Sequence, residues 1–157
     1  MEAARPATPP DLPDLVSLAE SAIAELAPTR GGAVFVHREG RVAPVEASLA
    51  RDLADRDAFV VAGTIDGIIV GYAAGRTEEL RDGSRLGLID DLFVHEGARS
   101  VGVGEAMMNE LLEWFRDRGC TGVDATALPG NRATKNFFEE SGFTARLLVM
   151  HRRLEPR

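Results

Sequence analysis

Apolar residues recur along the chain with two periods, and the change of period divides it into elements. Leu12, Leu15, Leu18, Ala19, Ala22, Ile23 and Leu26 fall three or four positions apart, the spacing that places side chains on one face of a helix. Pro28 closes that run, so a first helix is predicted over 11–27, preceded by a short extended segment near Arg5–Thr8. A second, shorter helix is predicted over 45–57, with Val45, Leu49 and Leu53 on its apolar face. Between the two, RGGAVFVHREG fits a short strand or a loop, and residues 28–44 are read as a functional loop punctuated by glycine and proline.

From Ala58 the pattern becomes that of a sheet. AFVVAGTI and GIIVGYAAGRTEEL are rich in valine and isoleucine and meet at Asp66–Gly67, a pair suited to the positive φ of a tight hairpin. A second turn at Asp82–Gly83 leads into RLGLIDDLFV, a third strand interrupted by two adjacent acids. GVGEAMMNELLEWFRDRG returns to the helical period, with Met107, Met108, Leu111, Leu112 and Phe115 as its core face, Trp114 half-buried and Gly119 at its end. TGVDATAL reads as a strand, NRATKNFFEES as a helix closed by Gly142, and FTARLLVMHRRL as a final strand. The order βαα-βββ-α-β-α-β implies an α/β fold with a mixed sheet and helices on its faces, because a strand–helix–strand unit demands a parallel crossover. A chain of 157 residues suits a single domain over 1–157.

Composition narrows the function. With 45% apolar and 27% charged residues the chain is globular rather than disordered or fibrous. Eighteen Lys and Arg against 25 Asp and Glu give −7, the wrong sign for neutralising a nucleic-acid backbone, so no nucleic-acid partner is expected. Ala58–Gly75, the longest apolar stretch, is broken by Asp66 and by glycines, which excludes a spanning helix and any membrane partner. The first ten residues lack a basic-then-apolar leader pattern, and a cytoplasmic location is expected. Cys120 is the only cysteine and cannot close an internal disulfide; it is read as a buried structural thiol. His37, His95 and His151 match no ligand spacing, so no metal site is expected, and His95 is read as a surface-turn residue.

The chemistry concentrates in IDDLFVHEGARSVGVG, residues 89–104. Gly102 and Gly104 stand between a strand and a helix start, where glycines let a ligand approach the backbone and free N–H groups favour an anion such as pyrophosphate. The same glycines also suit a plain tight connection. A Walker A loop is absent for want of a Gly-Lys-Ser/Thr step. A dinucleotide fingerprint fits poorly, because residues 95–101 separate strand from glycines and its third position is Met107.

RSVGVG resembles the Arg/Gln-x-x-Gly-x-Gly/Ala signature of the GNAT superfamily of acyl-CoA-dependent N-acyltransferases. ARPATPPD is similar to the opening of these enzymes, and NRATKNFFEESGF to their Asn-x-x-Ala-x-x-Phe-Tyr-x-x-x-Gly-Phe segment. The resemblance covers nearly the whole chain and is strongest over 86–143. It implies a GNAT-like fold: a central twisted mixed sheet flanked by helices, with the strand at 89–94 splayed from the strand at 121–127. It also implies acetyl-CoA as acyl donor. The backbone of Val101, Gly102, Val103 and Gly104, with Arg99 and Ser100 leading in and Glu105 following, would hold the pyrophosphate. Leu92, Phe93 and Val94 would contact the pantetheine arm, which Asn131 and Phe138 would also face. Ser100 stands for a frequent glycine and Glu96 for a frequent proline, and neither removes an N–H.

The implied reaction is transfer of an acetyl group to a primary amine, and the amine must first lose a proton to a base. Asp90 is the first candidate and Asp91 the second, acting through water because aspartate is short; the plainer alternative is a pair of strand-end acids facing solvent or an arginine. Neighbouring strand residues point to opposite faces, so only one of the two is expected to face the site. Phe138 replaces a tyrosine that can protonate the leaving thiolate, and Tyr72, the only tyrosine, is read as core or pocket wall. That departure keeps a non-catalytic acyl-CoA-binding or sensor module as a second reading. A nucleotide-binding oxidoreductase is a third, opposed by the strand-to-glycine distance. Phe35, His37, Arg38, Glu39 and Arg41 are candidates for the acceptor site. Asp52, Asp55, Asp57, Glu78, Glu79 and Asp82 are expected to flank it and attract a cationic amine. The final strand leaves an edge through which a homodimer could form.

Overall fold

The computed structural model describes residues 1–157 and holds one sheet in the order β1-β2-β3-β4-β5. Its strands are β1 (Glu2–Pro6), β2 (Ala58–Ile65), β3 (Ile68–Glu79), β4 (Arg85–Val94) and β5 (Cys120–Ala125). Five α-helices accompany them: α1 (Leu12–Leu26), α2 (Gly32–Arg38), α3 (Val45–Ala54), α4 (Val103–Asp117) and α5 (Arg132–Glu140). Neighbours pair antiparallel except β4 and β5, which run parallel with α4 as the crossover. The β2–β3 hairpin turns through Asp66 and Gly67, both at positive φ (+49° and +83°), as that dipeptide predicts. No helix is long and apolar enough to cross a membrane.

Alternation along the strands builds two cores, one on each face of the sheet. Val61, Ala73 and Ile89 meet Val103, Met107, Met108, Leu111 and Phe115 of α4, together with Phe138 of α5. On the other face Val60, Tyr72 and Ala74 meet Leu15, Leu18 and Ala19 of α1 and Leu49 of α3. Each fully buried apolar side chain stabilises the fold by about 1.5–3 kcal/mol. Trp114 lies half-buried at the rim, stacked on Phe59 at 5.4 Å. Cys120 is half-buried as well, and burial pushes its thiol up.

The structure corrects two elements. Residues 32–38, expected as strand or loop, form α2, because Gly32 presses against the end of α1, where a Cβ would come 1.9 Å from the Leu26 carbonyl oxygen. FTARLLVMHRRL, expected as a final strand, pairs with nothing, and residues 144–157 are exposed throughout. The sheet therefore ends at β5.

Candidate active site

β4 and β5 pair from Arg85↔Cys120 to Ile89↔Ala125, with a register shift after Arg85, and there the pairing stops. β4 runs on to Val94 while β5 gives way to the loop before α5, so one side of residues 90–94 faces open space. A cleft of about 850 Å³ occupies that gap. Leu92, Phe93 and Val94 line one wall, and Leu128, Asn131 and Phe138 the other. Asn131 is also the N-cap of α5, accepting a bond from the Thr134 N–H at 3.2 Å. Phe138 is 7% exposed and packs among Phe137 and Phe143.

The cleft ends at the turn into α4, lined there by Arg99, Ser100, Gly102, Gly104 and Glu105. Ser100 and Gly102 are left-handed, at φ +64° and +97°, a conformation that aims successive amides the same way. The amides of residues 101–105 donate to no backbone acceptor; the first helical bond is from Ala106 to Gly102, at 3.0 Å. Gly104 is needed for packing, since a Cβ there would sit 3.3 Å from the Phe137 ring. Neither Val101 nor Val103 lines the cleft: the Val101 side chain is exposed and that of Val103 is buried in the core. Free amides at the start of a fifteen-residue helix make a receptor for an anion. The Arg99 side chain braces this turn: it reaches Glu25 of α1 at 2.6 Å, the Val94 carbonyl at 2.9 Å and lies over the Phe93 ring at 5.4 Å.

Midway along β4 the two aspartates do not obey alternation. Ala74 pairs with Asp91 but Gly75 pairs with Ile89, which leaves Asp90 as the extra residue of a β-bulge. Asp90 meets Arg76 Nε at 3.1 Å and Asp91 meets Arg41, and both arginines lie on the α1/α3 face. The expectation that only one acid faces the site is thus corrected: both line the same cleft. Their environments differ. Asp91 accepts from Arg41 Nε at 2.9 Å, and Arg41 Nη1 also donates to Asp52 at 2.7 Å and Ser48 at 2.8 Å. The Arg41 guanidinium is 5% exposed, and although burial opposes its charge, Asp91 and Asp52 hold it firmly protonated. Burial raises the Asp91 carboxyl and Arg41 opposes that rise. Tyr72 abuts the same pair, and burial followed by the Asp91 charge keeps its phenol protonated. Asp90 has the partly exposed Arg76 as its counter-ion, and burial leaves its carboxyl raised.

Other expectations fall away. Of the acceptor-loop candidates only Phe35 lines the cleft; Arg41 is locked in its ion pairs, Arg38 bonds Glu39 at 2.7 Å, and His37 lines a separate cavity of about 310 Å³. Glu78 and Glu79 pair with Leu86 and Arg85, at the far end of the hairpin from Asp90, and Asp82 lies in its turn. Asp57 is bonded to Arg118. Neither Asp55 nor Asp57 reaches the cleft wall. His95 caps a short turn, its Nδ1 accepting from Gly97 N–H at 3.1 Å. Arg76 and Glu25 escaped the sequence reading. The hairpin register sets Arg76 opposite Leu88, diagonal to Asp90, and that was a usable signal; nothing local foretells Glu25.

A sequence model of the Acetyltransferase (GNAT) family matches residues 23–143. The chain belongs to the GNAT acetyltransferase family. No curated protein matches it. Solved structures share the GNAT fold at low identity. A mutant of the BH1408 protein from Bacillus halodurans is 18% identical with a TM-score of 0.83, over 97% of this chain and 99% of that one. Ribosomal-protein-alanine N-acetyltransferase from Brucella melitensis biovar Abortus 2308 is 18% identical with a TM-score of 0.72, over 99% and 100%. AAC(6')-Iy in complex with a bisubstrate analog, CoA-S-monomethyl-acetylneamine, is 18% identical with a TM-score of 0.75, over 99% of both chains. GNAT acetyltransferases use acetyl-CoA, and the free-amide turn and open strand side have the shape and polarity such a donor needs.

Proposed function

We propose that this GNAT chain transfers an acetyl group from acetyl-CoA to the primary amine of a small molecule or peptide by direct attack. The observation that carries the reading is continuity: one cleft runs from the amides of residues 101–105, along the open side of β4, to Asp90. The turn from Arg99 to Glu105 holds the pyrophosphate, and Leu92, Phe93, Val94 and Asn131 contact the pantetheine arm. Bound acetyl-CoA supplies a thioester, whose acyl carbon passes to nitrogen as a C–N bond forms and the C–S bond breaks. Asp90 takes the proton of the acceptor ammonium, directly or through one water, and burial, by raising its carboxyl above the ordinary carboxylate range, makes it the stronger base for that exchange. Asp91, tied to Arg41, positions the strand and adds negative potential. Phe138 has no proton to give the departing sulfur, and the Tyr72 phenol, buried in the cleft wall, is held against Asp91 and Arg41, so protonation there falls to water.

The acceptor is cationic in this reading. Glu25, Asp90, Asp91, Glu105 and Glu140 line the cleft; Arg99, Arg76 and Arg41 neutralise the first three, and Glu105 and Glu140 are left uncompensated. A reducing, cytoplasmic compartment fits the lone Cys120. Phe138 favours the second reading, a binding module without turnover.

One experiment separates the two. Thermal unfolding with acetyl-CoA, CoA and NAD(P) is followed by thiol release with a panel of amines. Acetyl-CoA at a hundred times its Kd should stabilise the fold by about 2.7 kcal/mol and NAD(P) not at all. Amine-dependent thiol release should follow, falling about 10²-fold or more in Asp90→Asn. Stabilisation without release supports the binding module, and no stabilisation sinks both.

A further inference from the structure

We infer that Arg41 is a positioning residue for the acceptor amine: it fastens the segment that carries Phe35 to β4, beside Asp90. The inference rests on the transfer reading above. Residues 27–44 are weakly joined to the rest of the molecule. They add no side chain to either core, and their backbone bonds stay within α1, α2, α3 and the turns between them, as in Gly32 to Thr29 at 2.8 Å and Gly40 to Phe35 at 2.7 Å. Through Phe35, α2 nonetheless forms part of the cleft wall. That wall needs an anchor on the sheet.

Arg41 supplies it by bonding in two directions. Its Nε donates to Asp91 of β4 at 2.9 Å, and its Nη1 donates to Ser48 at 2.8 Å and Asp52 at 2.7 Å, both on α3. Of residues 27–44 it alone hydrogen-bonds the sheet; Thr29 bonds back to Leu26 and Arg38 to Glu39. Its side chain is 5% exposed, although Val42, Ala43 and Pro44 beside it are exposed. A guanidinium buried from an otherwise exposed loop is a poor source of stability, since an apolar pair of similar volume often does as well. A planar fork with donors on two edges does what an apolar side chain cannot, which is to fix orientation. Asp91 adjoins Asp90, so the fork sets how the Phe35 wall stands to the carboxylate that meets the amine.

The test separates the amine from the donor. Arg41→Lys keeps the charge and loses the fork, and kcat/KM for the amine should fall by about 10²-fold, the scale of a misplaced reactant. The rise in melting temperature given by acetyl-CoA should stay that of the wild type. Phe35→Ala should share the loss, and the double variant should lose no more than Arg41→Lys alone. A residue that served stability alone would weaken donor and amine together; that result overturns the inference, and so do losses that multiply in the double variant. The tether also has a readout without turnover. Trypsin should cut Arg41→Lys between residues 30 and 41 faster than the wild type, with the exposed Arg81 of the β3–β4 turn as reference. Arg41→Gln with Asp91→Asn, which removes the buried charge on both sides, should be cut there as fast. Equal cutting of wild type and variants overturns the inference. A wild type that acetylates no amine sinks the proposed function, and the digest then decides the tether by itself.

Discussion

Asp90 and Asp91 are adjacent, share a residue type and face one cleft, yet they have different work because their counter-ions differ. Arg41 is sealed in and binds Asp91 with a fork of donors, whereas Arg76 is half-exposed and touches Asp90 through one nitrogen. In the proposed reaction Asp90 is therefore the carboxylate that exchanges a proton. Its rate contribution requires the ionised form, so activity should fall as pH drops through its raised pKa. Arg76 lowers that pKa, and removing it must move the acid limb of the pH–rate profile to higher pH. Arg76→Ala should show that displacement in kcat/KM, while Asp90→Asn should erase the limb. A profile unmoved in Arg76→Ala would detach the limb from Asp90. The letters showed two acids in an apolar strand, but not the bulge that turns both to one side, because a bulge is set by pairing with β3 and has no composition of its own here.

At the scale of elements, α4 lies in a trough of glycines. A Cβ at Gly63 would come 2.6 Å from Val103 Cγ1, and one at Gly75 or Gly87 would come 2.7 Å from the Phe115 ring. These positions let the helix approach the sheet closely enough to bury Met107, Leu111 and Phe115 completely. Gly87→Ala should cost about 1–3 kcal/mol by overpacking, read as a lower denaturant midpoint with an unchanged slope. Most elements were legible because their period was set by burial on one face: α1, α3, α4, α5 and the four strands from β2 to β5 lie where the pattern placed them. α2 was not, because GAVFVHR is poor in helix formers and is held by abutment on α1, a tertiary effect. The segment from Phe143 onward had a strand's composition and no strand's partner, and composition does not report who the partner is.

For the molecule as a whole, the N-terminal strand pairs with β2, and an ion pair between Arg5 and Asp11 ties it to the start of α1. Arg5 reaches Asp11 at 2.7 and 3.0 Å, and Thr8 N–H donates to the same carboxylate at 2.8 Å. The Arg5 bonds, above all, hold the Asp11 carboxyl at about 2, against an ordinary 3.8. A carboxyl depressed on folding stabilises above its unfolded pKa and loses that stabilisation as pH falls through the folded one. The window is about pH 4 down to about pH 2. With Arg5 half-exposed, the contribution is about 1 kcal/mol after screening. Asp11→Asn should therefore lower stability at pH 7 by that amount and flatten its decline across the window, as denaturant titrations at several pH values would show.

The open side of β4 carries a last consequence. Past Ile89 the strand has a neighbour on one side only, so alternate amides of residues 90–94 point into the cleft instead of at a carbonyl. Deuterium should enter those amides at the pace of a loop although they belong to a central strand, while the alternating ones, bonded to β3, resist. Acetyl-CoA lying along the strand would slow the fast set and leave the slow set unchanged. Exchange mass spectrometry would then trace the donor's path through this protein from within its own sheet, with no label on the ligand and no residue changed.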